Sequence, residues 1–208
     1  MNTRIFPSFY AAPIAYYAEL LRQPEQPVLE IHEHFTKQTY RNRMHIYSAH
    51  GLQKLTVPVE KNASKTPLKD LRISYAEKWY LLHWRALQSS YQSSPYFEFY
   101  SYLFEPVFSK PAEFLLDQNL AIHYAIEKCL EVSIPLVESS SYVHQYPIDY
   151  RLAFNTKNKT AMDQGWQTYQ QVFSYEARFL PNLSILDALF NLGPETRSYL
   201  INGKVELE

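Results

Sequence analysis

The sequence predicts an α/β (or α+β) fold: an N-terminal mixed sheet built on one βαβ unit and covered by helices. Three observations carry this. A strand–helix–strand order fills roughly the first 35 residues. Two further strand-like runs meet at a tight turn near Gly51. From Tyr75 onward the apolar residues adopt helical spacing.

Arg4 to Ala11 reads as the first strand. Pro13 suits the opening turn of a helix, where its missing N–H costs nothing, and Ile14, Tyr17, Leu20 and Leu21 form a helical stripe through Arg22. Val28 to Phe35 is the second strand, and the order of the three elements is that of a parallel crossover unit. Met44 to Tyr47 and Leu52 to Glu60 read as a hairpin across Ser-Ala-His-Gly, with Pro58 marking an edge or a bulge. Lys61 to Lys69 reads as an exposed loop and Leu71 to Ser74 as a short strand.

Tyr75, Trp79, Leu82, Ala86 and Leu87 then share a helical face. Pro95 interrupts it, a second helical piece runs through Phe104, and Pro111 opens a third helix with Leu115, Ile122, Ile126 and Cys129 as its stripe. Residues 133–160 read as strand and loop. In "FLPNLSILDALFNLG", Ser184 and Asp187 have capping-box spacing with Asn182 as a rival cap, Gly193 ends the helix and Pro194 starts the next turn.

The totals narrow the function. The 208 residues suit one domain, read as 1–206 with Leu207-Glu208 as a tag remnant. With 4 glycines against 13 prolines, a flexible phosphate-cradling loop is not expected. The 18 tyrosines suggest hydroxyls at the rims of pockets. A net charge of −1 with no run of either sign argues against nucleic acid as a partner. The lone Cys129 rules out an intrachain disulfide and a thiolate zinc site. No segment has the roughly 20 apolar residues of a membrane span, so no membrane span and a cytoplasmic location are expected.

Two stretches carry candidate chemistry. In "LEIHEHF", read as a strand, Glu30, His32 and His34 share one face while Glu33 lies with Leu29, Ile31 and Phe35. A carboxylate among apolar neighbours must be paired, hydrogen-bonded or protonated. Glu33 is then either a general base near a strand's carboxyl end or a structural partner of Arg41 or Arg43. His32-x-His34 has the spacing of two metal ligands, but no third ligand set supports a metal, and the histidines read as solvent-facing or hydrogen-bonded. In "KQTYRNRMHI", Lys37, Arg41 and Arg43 flank Tyr40 and Asn42, a pattern suited to a compact anion, with a solvated turn of ion pairs as the alternative. Tyr10 and Tyr40 are candidate rings for a base or a sugar. His83, four residues after Trp79, is a candidate base or a satisfied residue at the core's edge.

Taken together, four blocks resemble the WbqC-like protein family: "FPSFYAAPIAYYAEL", "KQTYRNRMHIYSAHGLQKLTVPV", "WYLLHWRALQSSYQSSPYFEFY" and "LSILDALFNLGPE". They run in order over nearly the whole chain. The His-Glu-His segment departs from an Asp-rich version and is closer to a Glu-containing branch. The resemblance implies an association with surface-polysaccharide (O-antigen-type) synthesis and a role in modifying or transferring sugars or acyl groups. By position it carries over Lys37, Asn42, Arg43 and His83 for chemistry, and Pro58, Trp79, Phe97, Asp187 and Asn191 for the fold; Tyr96 also falls in a matching block.

The expectation is therefore a transferase acting on a nucleotide-linked sugar or glycan. Glu33, His83 and Lys37 would be catalytic, and Arg41, Asn42, Arg43, Tyr40 and Tyr10 would bind substrate. No metal is called for, no cofactor can be named, and the partner is a small molecule such as a nucleotide sugar or an acyl donor. The alternative is a non-catalytic binding or scaffold protein of a polysaccharide-assembly complex, which would show an exposed apolar patch and no deep polar pocket.

Overall fold

The structure is a computed structural model that describes residues 3–22, 26–61, 63–154, 163–174 and 178–203. The tag remnant expected at 207–208 lies outside them. The fold is α/β. Strand β1 (Arg4–Pro7), helix α1 (Ile14–Arg22) and strand β2 (Pro27–Glu30) form the expected βαβ unit, with β1 and β2 parallel and Pro7 opposite Glu30. Two short strands, β5 (Val137–Glu138) and β6 (Ile148–Asp149), extend it to a parallel sheet of order β5-β2-β1-β6. The antiparallel strands are separate: β3 (Arg43–Ser48) and β4 (Gly51–Thr56) form a hairpin whose turn includes Gly51 at a positive φ of 91°.

Several elements are shorter than the sequence pattern suggests. β1 stops at Pro7 rather than Ala11, and β2 stops at Glu30 rather than Phe35. Beyond Glu30 the chain bends at His32–Glu33 and pairs with residues 66–69, which lead into a 3-10 turn at Leu68–Asp70: Lys69 N–H donates to the Ile31 carbonyl, Leu68 N–H to Glu33, and Phe35 N–H to Thr66. Residues 71–74 contribute isolated bridges rather than a strand. The helices are α2 (Trp79–Tyr91), α3 (Phe97–Ser109) and α4 (Leu115–Leu130), so α2 starts four residues after Tyr75, α3 continues past Phe104 with Pro106 inside it, and α4 starts four residues after Pro111.

Helix α5 (Ile185–Leu192) is the centre of the core. Its sequence ILDALFNL is apolar on nearly every side, as a helix enclosed by other elements must be, and seven of its eight residues are buried. It packs on β3, α1, α3, α4 and the C-terminal helix α6 (Thr196–Asn202). Its N-terminus is tied to that of α1. Ser184 Oγ accepts from Leu186 N–H, and Ser184 N–H donates to the His45 carbonyl. Asn182 does not compete for this cap: its Oδ1 accepts Ala15 N–H, in the first turn of α1, at 2.9 Å. Asp187 does not reach back to close a capping box but turns inward.

The tyrosines differ from expectation. Many sit in the core with their hydroxyls partnered rather than at pocket rims. Tyr16 donates to the Pro7 carbonyl at 2.9 Å, Tyr17 pairs with His123 Nδ1 at 3.0 Å, and Tyr91 donates to Asp187 Oδ1 at 2.9 Å. Among the described residues no helix is long and apolar enough to cross a membrane.

Candidate functional site

Because all four strands of the main sheet are parallel, their carboxyl ends lie on one edge, where open α/β sheets place ligands. A cavity of about 750 Å³ opens there. It is lined by the segment after β2 (His32, Glu33, His34, Thr36), by Arg41, by Tyr142 and His144 from the β5–β6 connection, and by Asp149, Arg151 and Leu152 at the end of β6.

Two guanidinium–carboxylate pairs build its wall. Arg41 donates through Nε to Glu33 Oε1 at 2.8 Å and through Nη2 to Oε2 at 2.6 Å, a bidentate pair with both side chains less than one-tenth exposed. Nη2 also donates to the Arg151 carbonyl at 3.2 Å. Arg151 grips Asp149 through Nε at 3.0 Å and Nη2 at 2.5 Å, and donates to the carbonyls of Val143 and His144 at 2.8 and 3.0 Å. The rings of Tyr142 and Tyr146 cover its guanidinium at 5.0 and 5.3 Å. Behind it lies Glu30, fully buried, with Oε2 3.5 Å from Arg151 Nη1 and Oε1 accepting from Ser139 Oγ and His32 N–H, each at 2.8 Å.

Electrostatics separates the two lining carboxylates. Burial pushes Glu33 up; the hydrogen bond and charge of Arg41 pull it back only in part, so its pKa stays above the ordinary value. Asp149 is also pushed up by burial, but its bonds to Arg151 prevail and hold it below the usual range. Glu33 is therefore the cavity's better proton acceptor and Asp149 a fixed counter-charge.

The remaining sequence candidates fall elsewhere. Tyr10 and His83 meet in the core, with the Tyr10 hydroxyl 2.8 Å from His83 Nδ1. Burial lowers His83 to about 4, opposed by a hydrogen bond to the Thr56 backbone carbonyl. This buried, hydrogen-bonded imidazole lies away from the cavity lining. Asn42, expected to orient a substrate hydroxyl, instead donates Nδ2 to the Val57 carbonyl at 2.8 Å and fastens the start of β3. Tyr40 is buried against Phe9 and His45. Arg43 bonds Thr56 Oγ1 across the hairpin at 3.1 Å. Lys37 is exposed, next to Thr36 of the wall. Of the eight residues expected to be catalytic or to bind substrate, then, Glu33 and Arg41 line the cavity, as do His32 and His34. His32 Nε2 lies 3.0 Å from the Ser139 carbonyl and His34 is exposed; among the described residues no group of three or more His, Cys, Asp and Glu is placed to hold a metal ion.

Tyr142, His144, Asp149 and Arg151 escaped the sequence reading. The signal was "YPIDYR": an apolar pair followed by charges two apart, which is how a short strand delivers polar groups to a sheet edge.

No solved structure matches the chain. It is 26% identical to Rv1507c, an uncharacterised protein of Mycobacterium tuberculosis, over 88% of this chain and 91% of that protein. The WbqC-like protein family matches residues 9–153, a span that starts just after β1 and takes in every residue lining the cavity. The chain belongs to the WbqC-like protein family.

Proposed function

We propose that the protein is a transferase acting on a nucleotide-linked sugar or glycan in the synthesis of a bacterial surface polysaccharide, working in the cytoplasm. The observation that carries this reading is the buried Glu33–Arg41 pair in the wall of a cavity of about 750 Å³. That volume lies in the range that encloses small-molecule ligands. In the proposed reaction an acceptor hydroxyl lies against Glu33. Its oxygen attacks the anomeric carbon of the donor, the bond from that carbon to the phosphate oxygen breaks, and the nucleotide leaves with the bonding electrons. The hydroxyl proton passes to Glu33, whose raised pKa brings it nearer the range of a working base. Arg41 fixes the carboxylate's orientation. Exposed Lys37 offsets charge on the departing phosphate. Tyr142 offers a ring face to a sugar.

The test is a turnover assay with nucleotide sugars, after thermal shifts have found a ligand. Glu33→Gln is expected to lose about 10²-fold or more in turnover while retaining most of its affinity, the usual contribution of a general base. Arg43→Ala, outside the cavity, is expected to match wild type. Full turnover in a folded Glu33→Gln protein would remove the carboxylate from the mechanism.

The scaffold reading has one observation of its own. Phe99 and Tyr102 stand 66% exposed on α3. It predicts that partner binding is lost in a Phe99→Ser, Tyr102→Ser variant and is indifferent to Glu33→Gln.

A further inference from the structure

The cavity's charge inventory points to the part of the substrate it admits. Two guanidiniums, Arg41 and Arg151, face three carboxylates, Glu33, Asp149 and the buried Glu30. Histidines and the exposed Lys37 outside the lining aside, these five groups carry one excess negative charge. Arg151 is committed to Asp149 and to two backbone carbonyls, with Glu30 beside Nη1 and two tyrosine rings over its plane. Arg41 spends Nε and Nη2 on Glu33 and the Arg151 carbonyl, and among the described residues Nη1 meets no acceptor. A phosphate or uronate entering here could win a bidentate guanidinium only by displacing a carboxylate, and that carboxylate would be left buried and uncompensated.

A neutral hydroxylated ring meets no such obstacle. Arg41 Nη1 donates to one hydroxyl oxygen. Each Glu33 oxygen, already accepting one bond, keeps a lone pair for the hydroxyl next to it. Thr36 and the Tyr142 phenol add donor-acceptor groups, and the Tyr142 ring adds an apolar face. We infer that the cavity binds the uncharged sugar of the acceptor and excludes anionic groups, so that a donor's phosphates stay outside it. This rests on the transferase reading and names the substrate class of that site: a neutral hexose or a glycan ending in one.

Titration followed by backbone amide NMR at fixed ionic strength tests it. The probes are methyl glycosides of neutral hexoses, the matched methyl uronosides, UDP-glucose and inorganic pyrophosphate. At least one neutral glycoside is expected to shift the amides of residues 32–36 and 142–152, with its uronoside binding at least ten-fold more weakly. Pyrophosphate is expected to leave those amides unmoved in wild type and to move them in Asp149→Asn, where Arg151 has lost its counter-charge. A uronoside or pyrophosphate that binds wild type there as tightly as the neutral glycoside overturns the inference and leaves the transferase reading standing. If neither a glycoside nor UDP-glucose moves those amides, both fall. The comparison of glycoside with uronoside needs only the wild-type chain, so it decides even if Asp149→Asn does not fold.

Discussion

Asp187 is a carboxylate with no cation beside it among the described residues. It is wholly buried on α5 and accepts from Tyr91 at 2.9 Å, Tyr169 at 2.5 Å and Gln171 Nε2 at 2.8 Å, all neutral donors. Burial raises its pKa to about 6, and the three hydrogen bonds lower it only in part. A carboxyl raised above its unfolded value of about 3.9 stabilises the fold below that value, and the contribution is lost as pH rises through about 6. Two pKa units correspond to roughly 3 kcal/mol. Asp187→Asn has no proton to lose, so between pH 4 and pH 7 its stability is expected to rise relative to wild type by up to about that amount. Urea unfolding at both pH values measures it; a difference independent of pH would mean that Asp187 titrates normally. Glu33, whose pKa burial also raises, has a guanidinium on both oxygens, and this pairing would hold it in place as the proposed base.

Helix ends show which parts of a fold can be read from sequence. The cap at Ser184 and the stop at Gly193 were legible because both are local: a side chain bonds a backbone N–H two residues on, and a glycine takes a positive φ of 56°. Asn182 looked like the same kind of signal, yet it serves α1, 167 positions away, and no spacing rule reaches that far. The strand read through Phe35 was half right. Ile31, Glu33 and Phe35 are buried together as alternation implies, but their backbone pairs with residues 66–69, whose approach is tertiary. Arg41 with Glu33 was legible as one of two readings; the Asp149–Arg151 half of the cavity was not, because two-residue strands leave almost no periodicity. Gly193 also makes a prediction. A Cβ there would lie 2.4 Å from the Tyr96 ring, besides the cost of left-handed backbone. Gly193→Ala is expected to lose about 2 kcal/mol or more, of which about 1–2 is backbone strain. Tyr96→Ala should recover the remainder, so a double-mutant cycle is expected to be strongly non-additive. Additive losses would place the whole cost in the backbone.

At the scale of the molecule, part of the core that supports the cavity lies outside the stretch of chain that lines it. The family match ends at residue 153, immediately after the last cavity residue, but α5 and α6 lie beyond it and pack on α1, α3 and α4. Ile185, Leu186, Leu189 and Phe190 are each fully buried. At about 1.5–3 kcal/mol per large apolar side chain, these four alone contribute roughly 6–12 kcal/mol, which is comparable to the entire net stability of about 5–15 kcal/mol expected of a domain. The turn that leads into α5 caps α1 through Asn182 and ties Ser184 Oγ to the Ala11 carbonyl, and Asp187 of α5 holds Tyr91 of α2, so its loss would strip polar partners from the core as well. A chain of residues 1–153 should therefore fail to fold, although it contains every residue that lines the cavity. The expected signature is near-UV circular dichroism without tertiary signal and no cooperative thermal transition, while the full chain shows both. Adding residues 154–208 as a separate peptide should restore some signal only if α5 docks without its covalent connection. A truncated chain that melted cooperatively on its own would mean that the cavity rests on its parallel sheet alone and that α5 is an accessory to it.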